Sequence, residues 1–244
     1  MNKRIIVLLG VLIVIGGFIP SDTKNIYALV LDIFNIRKGI ADAYVFESMM
    51  RFLLPQIIFF ACFGDFFNTN IINNACMLFI RNKKNNYVIN KYAKMLLIKV
   101  VVSVLSVYAI IIFIRILQSR NLESNCVVLL LFWVVNYAVY MAFSIMVANV
   151  LAIFVGAAEA TAIVFFVKIV EVMILAKAVD NNIYDKISKV IPISIIAGRT
   201  NYLEKSITKT VFFQYFLIPF IVGAILCLVT IRICGRLFNH KEWF

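Results

Sequence analysis

The chain has 244 residues, 64% of them hydrophobic and 15% charged, with a mean hydropathy of +0.99 and a formal net charge of +12. A soluble domain is roughly half apolar and a quarter charged, so this composition excludes an ordinary globular protein and fits an integral membrane protein. The positive excess is scattered along the chain with no RNA- or DNA-binding motif around it, and anionic lipid headgroups are its simpler counterpart.

A helix needs about 20 apolar residues to cross the hydrocarbon core. Continuous apolar runs at residues 5–20, 52–67, 95–114, 126–149, 160–176 and 211–233 therefore predict an all-α, polytopic fold of about six spans in a single transmembrane domain. None of the runs alternates with the two-residue period of a membrane barrel strand.

Lys3 and Arg4 precede the first run, and no small-x-small cleavage site precedes Ser21, so residues 1–20 read as a span and not as a removed signal. In residues 21–48, Leu29, Ile33, Ile36 and Ile40 recur at helical spacing among Asp32, Arg37, Lys38 and Asp42, the pattern of a helix lying in the membrane interface. The second span contains Pro55, which a membrane helix tolerates when neighbours satisfy the freed carbonyl. Asp65 falls near the far end of that span, within reach of headgroups or water.

Residues 73–94 form the main polar interruption. Arg81, Lys83 and Lys84 stand among asparagines directly after an apolar run that includes Phe79. Beyond Tyr87, Val88, Tyr92 and Met95 recur at helical spacing with Asn90, Lys91 and Lys94 facing away, which predicts an amphipathic helix leading straight into the third span. Basic residues alone would hold a loop against anionic lipid. The flanking apolar run and amphipathic helix are additional, and they point to a soluble docking partner.

The apolar block from Cys126 to Val179 is far too long for one membrane helix and must turn back on itself. The reversal is expected within residues 149–159, where Gly156 and neighbouring alanines permit a tight turn, with Glu159 solvated beside it. Lys168 and Glu171 fall near the middle of the fifth span, where each costs about 2.5–3.5 kcal/mol on insertion scales. Three residues apart on a helix, they are placed to pair. Such a pair is either self-neutralising and structural, or part of a substrate or ion path. Residues 180–210 are polar again, with a short helix marked by Ile183, Ile187, Val190 and Ile191 and ended by Pro192, as expected for a segment that dips into the membrane edge without spanning it. Arg232, Arg236, Lys241 and Trp243 form a basic and aromatic anchor after the last span.

No catalytic constellation emerges. The one histidine is His240, no G-x-x-x-x-G-K-[ST] or H-E-x-x-H occurs, and the five cysteines lack C-x-x-C spacing. The chain is therefore expected not to be an enzyme, and to carry no metal or cofactor of its own. Basic residues divide almost evenly between the two sides of the membrane, so charge alone does not orient it.

About six spans in roughly 240 residues, the basic amphipathic segment between the second and third, and the short helices before the last resemble the permease subunit of type-2 ATP-binding-cassette exporters. The likeness is to small permeases of Gram-positive bacteria associated with bacteriocin or lantibiotic export and immunity, which often carry an aromatic residue closely followed by Arg and further basic residues, like Leu78-Phe79-Ile80-Arg81-Asn82-Lys83-Lys84, at this place. The resemblance implies a bacterial cell membrane, a cytoplasmic N-terminus, and extracellular or re-entrant helices within residues 180–210. It implies a coupling helix within residues 73–94 docked through Phe79, Arg81, Lys83, Lys84, Tyr87, Val88 and Tyr92. Two copies of a separate ATPase, which binds ATP and Mg²⁺, would dock there, and a second permease would complete a path for a peptide or lipid-like substrate. Lys168, Glu171, Glu159 and Asp65 are the polar candidates for that path. Unlike many such permeases, the chain lacks a long amphipathic helix before its first span. Two alternatives belong to other classes: a membrane substrate-binding subunit of an ATPase-driven uptake system, and a membrane immunity or scaffold protein without transport. Co-purification with an ATPase separates the transporters from the scaffold.

Overall fold

Seven α-helices and one 3-10 turn form among the residues that the structure, a computed structural model, describes: 3–18, 42–74, 85–118, 124–180 and 217–240. In chain order they are α1 (Lys3–Phe18), α2 (Asp42–Phe63), the short α3 (Phe66–Asn70), the 3-10 turn Ile72–Asn74, α4 (Asn85–Gln118), α5 (Ser124–Val155), α6 (Ala157–Asp180) and α7 (Ile218–His240). The segments Tyr87–Ile114, Val134–Val155 and Phe220–Leu237 are long and apolar enough to cross a membrane.

The second helix starts well before the apolar run that predicts it. No Gly or Pro interrupts residues 42–54, so the helical hydrogen-bond ladder continues back through what the periodicity assigns to an interfacial helix. The rest of that interfacial helix, residues 21–41, lies outside the described residues. So do residues 181–210 of the re-entrant segment and residues 75–84 of the basic segment. The amphipathic helix after Tyr87 and the third span are one continuous α4, as their shared periodicity predicts. The last helix is described over Ile218–His240, and residues 211–216 of its apolar run lie outside the described residues.

α5 is the centre of the bundle. It packs on α2, α3, α4, α6 and α7, and its residues from Val134 to Ile153 are mostly buried. A helix apolar on every side belongs inside a bundle. The edge of one ring in the Tyr108–Tyr137 pair meets the face of the other, with centroids 5.3 Å apart and planes at 79°, joining α4 to α5. On the far side α7 comes close enough that a Cβ added at Gly223 would lie 2.7 Å from Val139 Cγ1. Large apolar side chains face outward on the peripheral helices, among them Phe113, Phe166, Met173 and Leu228. In water such a surface would aggregate, whereas in a bilayer it is the lipid-facing shell.

The long apolar block turns at Gly156, the single residue between α5 and α6, whose φ is +97°. The two helices then run antiparallel, so that the Tyr140 hydroxyl on α5 reaches the Glu171 carboxylate on α6. An L-residue with a Cβ is strained at this φ, and a Cβ there would also run into the Glu159 carboxylate. Gly156→Ala is expected to cost about 1–3 kcal/mol, read as a lowered unfolding midpoint in detergent, while Ala157→Gly next to it should cost no more than about 1 kcal/mol. Equal losses for the two would mean that the turn does not depend on the positive φ.

Candidate functional site

Two polar features lie inside the bundle, and α5 supplies a side chain to each. The first breaks a helix. α2 and α3 would form one continuous helix if the Phe67 N–H donated to the Phe63 carbonyl, but the Asn149 carboxamide stands between them. Its Nδ2 donates to the Phe63 carbonyl at 2.8 Å, and its Oδ1 accepts from the Phe67 N–H at 2.8 Å. The second Nδ2 hydrogen goes to the Ile145 carbonyl at 2.9 Å, one turn back on α5. On either side of the wedge the ladder resumes, with Gly64 N donating to Phe60 O at 2.7 Å and Ile71 N to Phe67 O at 2.9 Å. A side chain inserted into the i→i−4 ladder is a recognised cause of a sharp helix bend. Gly64 sits on the inside of the bend, where a Cβ would stand 2.9 Å from Thr161 Oγ1 of α6.

The second feature surrounds Lys168. Twelve residues beyond Gly156, it lies about 18 Å along α6 from the turn at 1.5 Å per residue. It is 2% exposed. Its ammonium sits 3.9 Å from the centroid of the Tyr140 ring and 5.8 Å from that of Phe60 on α2, both within cation–π range. Phe60 in turn meets Phe165 edge to face, with centroids 6.4 Å apart. Among the described residues, the Lys168 Nζ has no hydrogen-bond partner. Glu171, half-buried, supplies the opposing charge one turn on, but its Oε2 accepts from the Tyr140 hydroxyl at 3.1 Å. Lys168 and Glu171, one turn apart, are joined with Tyr140 in a three-part arrangement. Tyr140 presents its ring face to the cation and its hydroxyl to the anion.

The other residues singled out by sequence are elsewhere. Asp65 is exposed at the break between α2 and α3, where its Oδ2 accepts from Thr69 Oγ1 at 3.4 Å. Glu159 is exposed in the first turn of α6, where a carboxylate complements the helix dipole. Tyr87 is exposed, Tyr92 is half-buried, and Val88 is buried at 4% exposure, so that Val88 packs inside the chain instead of facing a partner. Phe79, Arg81, Lys83 and Lys84 lie outside the described residues. Among the described residues, no three His, Cys, Asp or Glu side chains converge to hold a metal ion.

Tyr140, Phe60 and Asn149 are the residues that sequence reading passes over. A signal exists for the first: Asn136, Tyr140 and Ser144 recur every four residues, a polar line on one face of an otherwise apolar helix, and all three are buried. These observations define the class, an almost entirely helical protein with helices built to cross a membrane and a charged, aromatic site buried between α2, α5 and α6. Compared with known protein families, curated proteins and solved structures, the chain matches none.

Proposed function

We propose that the chain is a six-span permease subunit of an ATP-driven exporter in a bacterial cell membrane. It couples ATP hydrolysis on a separate ATPase to the movement of a peptide or amphipathic substrate. The six spans are α1, α2, α4, α5, α6 and α7. The observation that carries this reading is the continuity of α4. Its 34 residues rise about 51 Å at 1.5 Å per residue, well beyond a hydrocarbon core of roughly 30 Å. Its first turns carry exposed Tyr87, Lys91 and Lys94 directly after the basic residues 81–84. A rod that follows a basic segment in the chain and runs through the core delivers a push at one end to the other.

The same segment is tied to the interior a second way. α3 leads into it, and the Asn149 wedge fastens α3 to α5, the helix that holds Tyr140 against Lys168. In this reading ATP and Mg²⁺ are held by two ATPase copies, and a second permease completes the path. Exposed charge contacts are worth about 0.5 kcal/mol each, so replacing Arg81, Lys83 and Lys84 together by Ala should weaken ATPase co-purification about tenfold. Membrane yield should stay at the wild-type level. Unchanged complex formation and unchanged transport in the triple variant would refute the assignment.

A further inference from the structure

We propose that Lys168 is the head-group site for an anionic amphiphile, a single-chain or lipid-like molecule ending in a carboxylate or phosphate. This deepens the reading of the α2–α5–α6 site as part of a substrate path. An ammonium has three N–H donors, and Lys168 is 2% exposed with no acceptor among the described residues on any of them. The nearest built-in candidate is withheld, because the Tyr140 hydroxyl engages Glu171 Oε2 while the Tyr140 ring, which offers no lone pair, faces the ammonium. The cation is therefore stabilised by two ring faces and by a carboxylate at one remove, and it keeps its full capacity for charge-assisted hydrogen bonds.

The surroundings say what kind of molecule brings the acceptor. Phe60, Tyr140 and Phe165 line the site with aromatic surface, and the adjoining outer face of α6 exposes Ile163, Phe166, Val167 and Val170. A hydrated small anion would gain nothing from these walls and would have to shed its water to enter the buried site. A chain-bearing anion can lay its tail along α6 and carry its head inward past half-buried Glu171.

Glu171 opposes an incoming anion, which gives the test its sign. The full-length protein in phosphatidylcholine nanodiscs, without an ATPase, would be titrated with radiolabelled decanoate. Wild type is expected to bind decanoate saturably, Lys168→Met to bind it at least about tenfold more weakly, and Glu171→Gln about tenfold more tightly, because the competing charge is gone while the shape is kept. Neutral decanol should not displace decanoate, and neither should acetate. Decanoate binding unchanged in Lys168→Met, or weakened in Glu171→Gln, would overturn the proposal. Displacement by decanol would reduce the effect to partitioning, and displacement by acetate would make the ligand a free anion; either overturns it too. If either single variant fails to fold, the better-tolerated double variant Lys168→Met/Glu171→Gln decides: with the ammonium gone it should bind decanoate no better than decanol, and an undiminished preference for decanoate overturns the proposal. Because no ATPase is present, failure here leaves the coupling assignment standing, and failure of the Arg81/Lys83/Lys84 test leaves this one standing.

Discussion

Asn149→Leu is expected to lower stability by about 2–4 kcal/mol, because it removes three hydrogen bonds at once from a fully buried position while keeping the side-chain volume. The loss does not come from packing. Leucine fills the space, but it offers neither a donor to the Phe63 carbonyl nor an acceptor to the Phe67 N–H, and a buried backbone group left unpaired carries its full desolvation cost. Two outcomes separate the explanations. If α2 stays bent, the cost appears in full as a lower unfolding midpoint. If α2 and α3 straighten so that Phe67 bonds directly to Phe63, stability recovers in part and Asp65 changes its accessibility, which a Cys placed at position 65 and a membrane-impermeant thiol reagent would report. Asn149→Asp keeps the acceptor and loses the donor, so it should fall between leucine and wild type on either measure. An Asn149→Leu variant as stable as wild type would mean that the bend is made by Gly64 and the packing of Thr161, with the carboxamide incidental.

The Lys168–Tyr140–Glu171 arrangement makes a second large prediction, and an asymmetric one. Breaking a buried charge pair from one side costs about 3–5 kcal/mol because a charge is left uncompensated. The two sides are not equal here. Glu171→Gln strands an ammonium that is 2% exposed, and it should cost near the top of that range. Lys168→Met leaves a half-buried carboxylate that keeps its bond from the Tyr140 hydroxyl, and it should cost near or below the bottom. The double variant Lys168→Met/Glu171→Gln should come within about 1–2 kcal/mol of wild type, since replacing both charges by neutral groups removes the unpaired one. Tyr140→Phe isolates the middle member: it keeps the ring under the ammonium and removes the hydroxyl, at an expected cost of about 1–2 kcal/mol. Thermal unfolding of the purified variants in one detergent, with membrane yield beside it, measures the series. Equal losses from the two single charge changes, with no recovery in the double, would mean that the charges do not act as a unit.

The sequence by itself determined the class of protein and the position of its main turn. Apolar runs near membrane length produce helices for a reason local to each segment: in lipid, every backbone N–H and C=O must be satisfied within the segment. The reversal at Gly156 is legible in the same way, because the block from Cys126 to Val179 overshoots a bilayer and one glycine near its middle can take a positive φ. The cost of burying a charge in hydrocarbon likewise marks Lys168 and Glu171 without reference to any other helix. What their spacing could not decide is who meets them. Lys168 and Glu171 share one face of α6, and only the antiparallel packing of α5 slides the Tyr140 ring beneath the ammonium and its hydroxyl onto the carboxylate. The bend between α2 and α3 is the clearest case. Residues 60–71 are compatible with one continuous helix, and the residue that breaks it comes from 82 positions beyond Phe67 on another helix. Local propensity carries no trace of such a contact, because a hydrogen bond from a distant carboxamide competes with a ladder bond only after the two helices have packed.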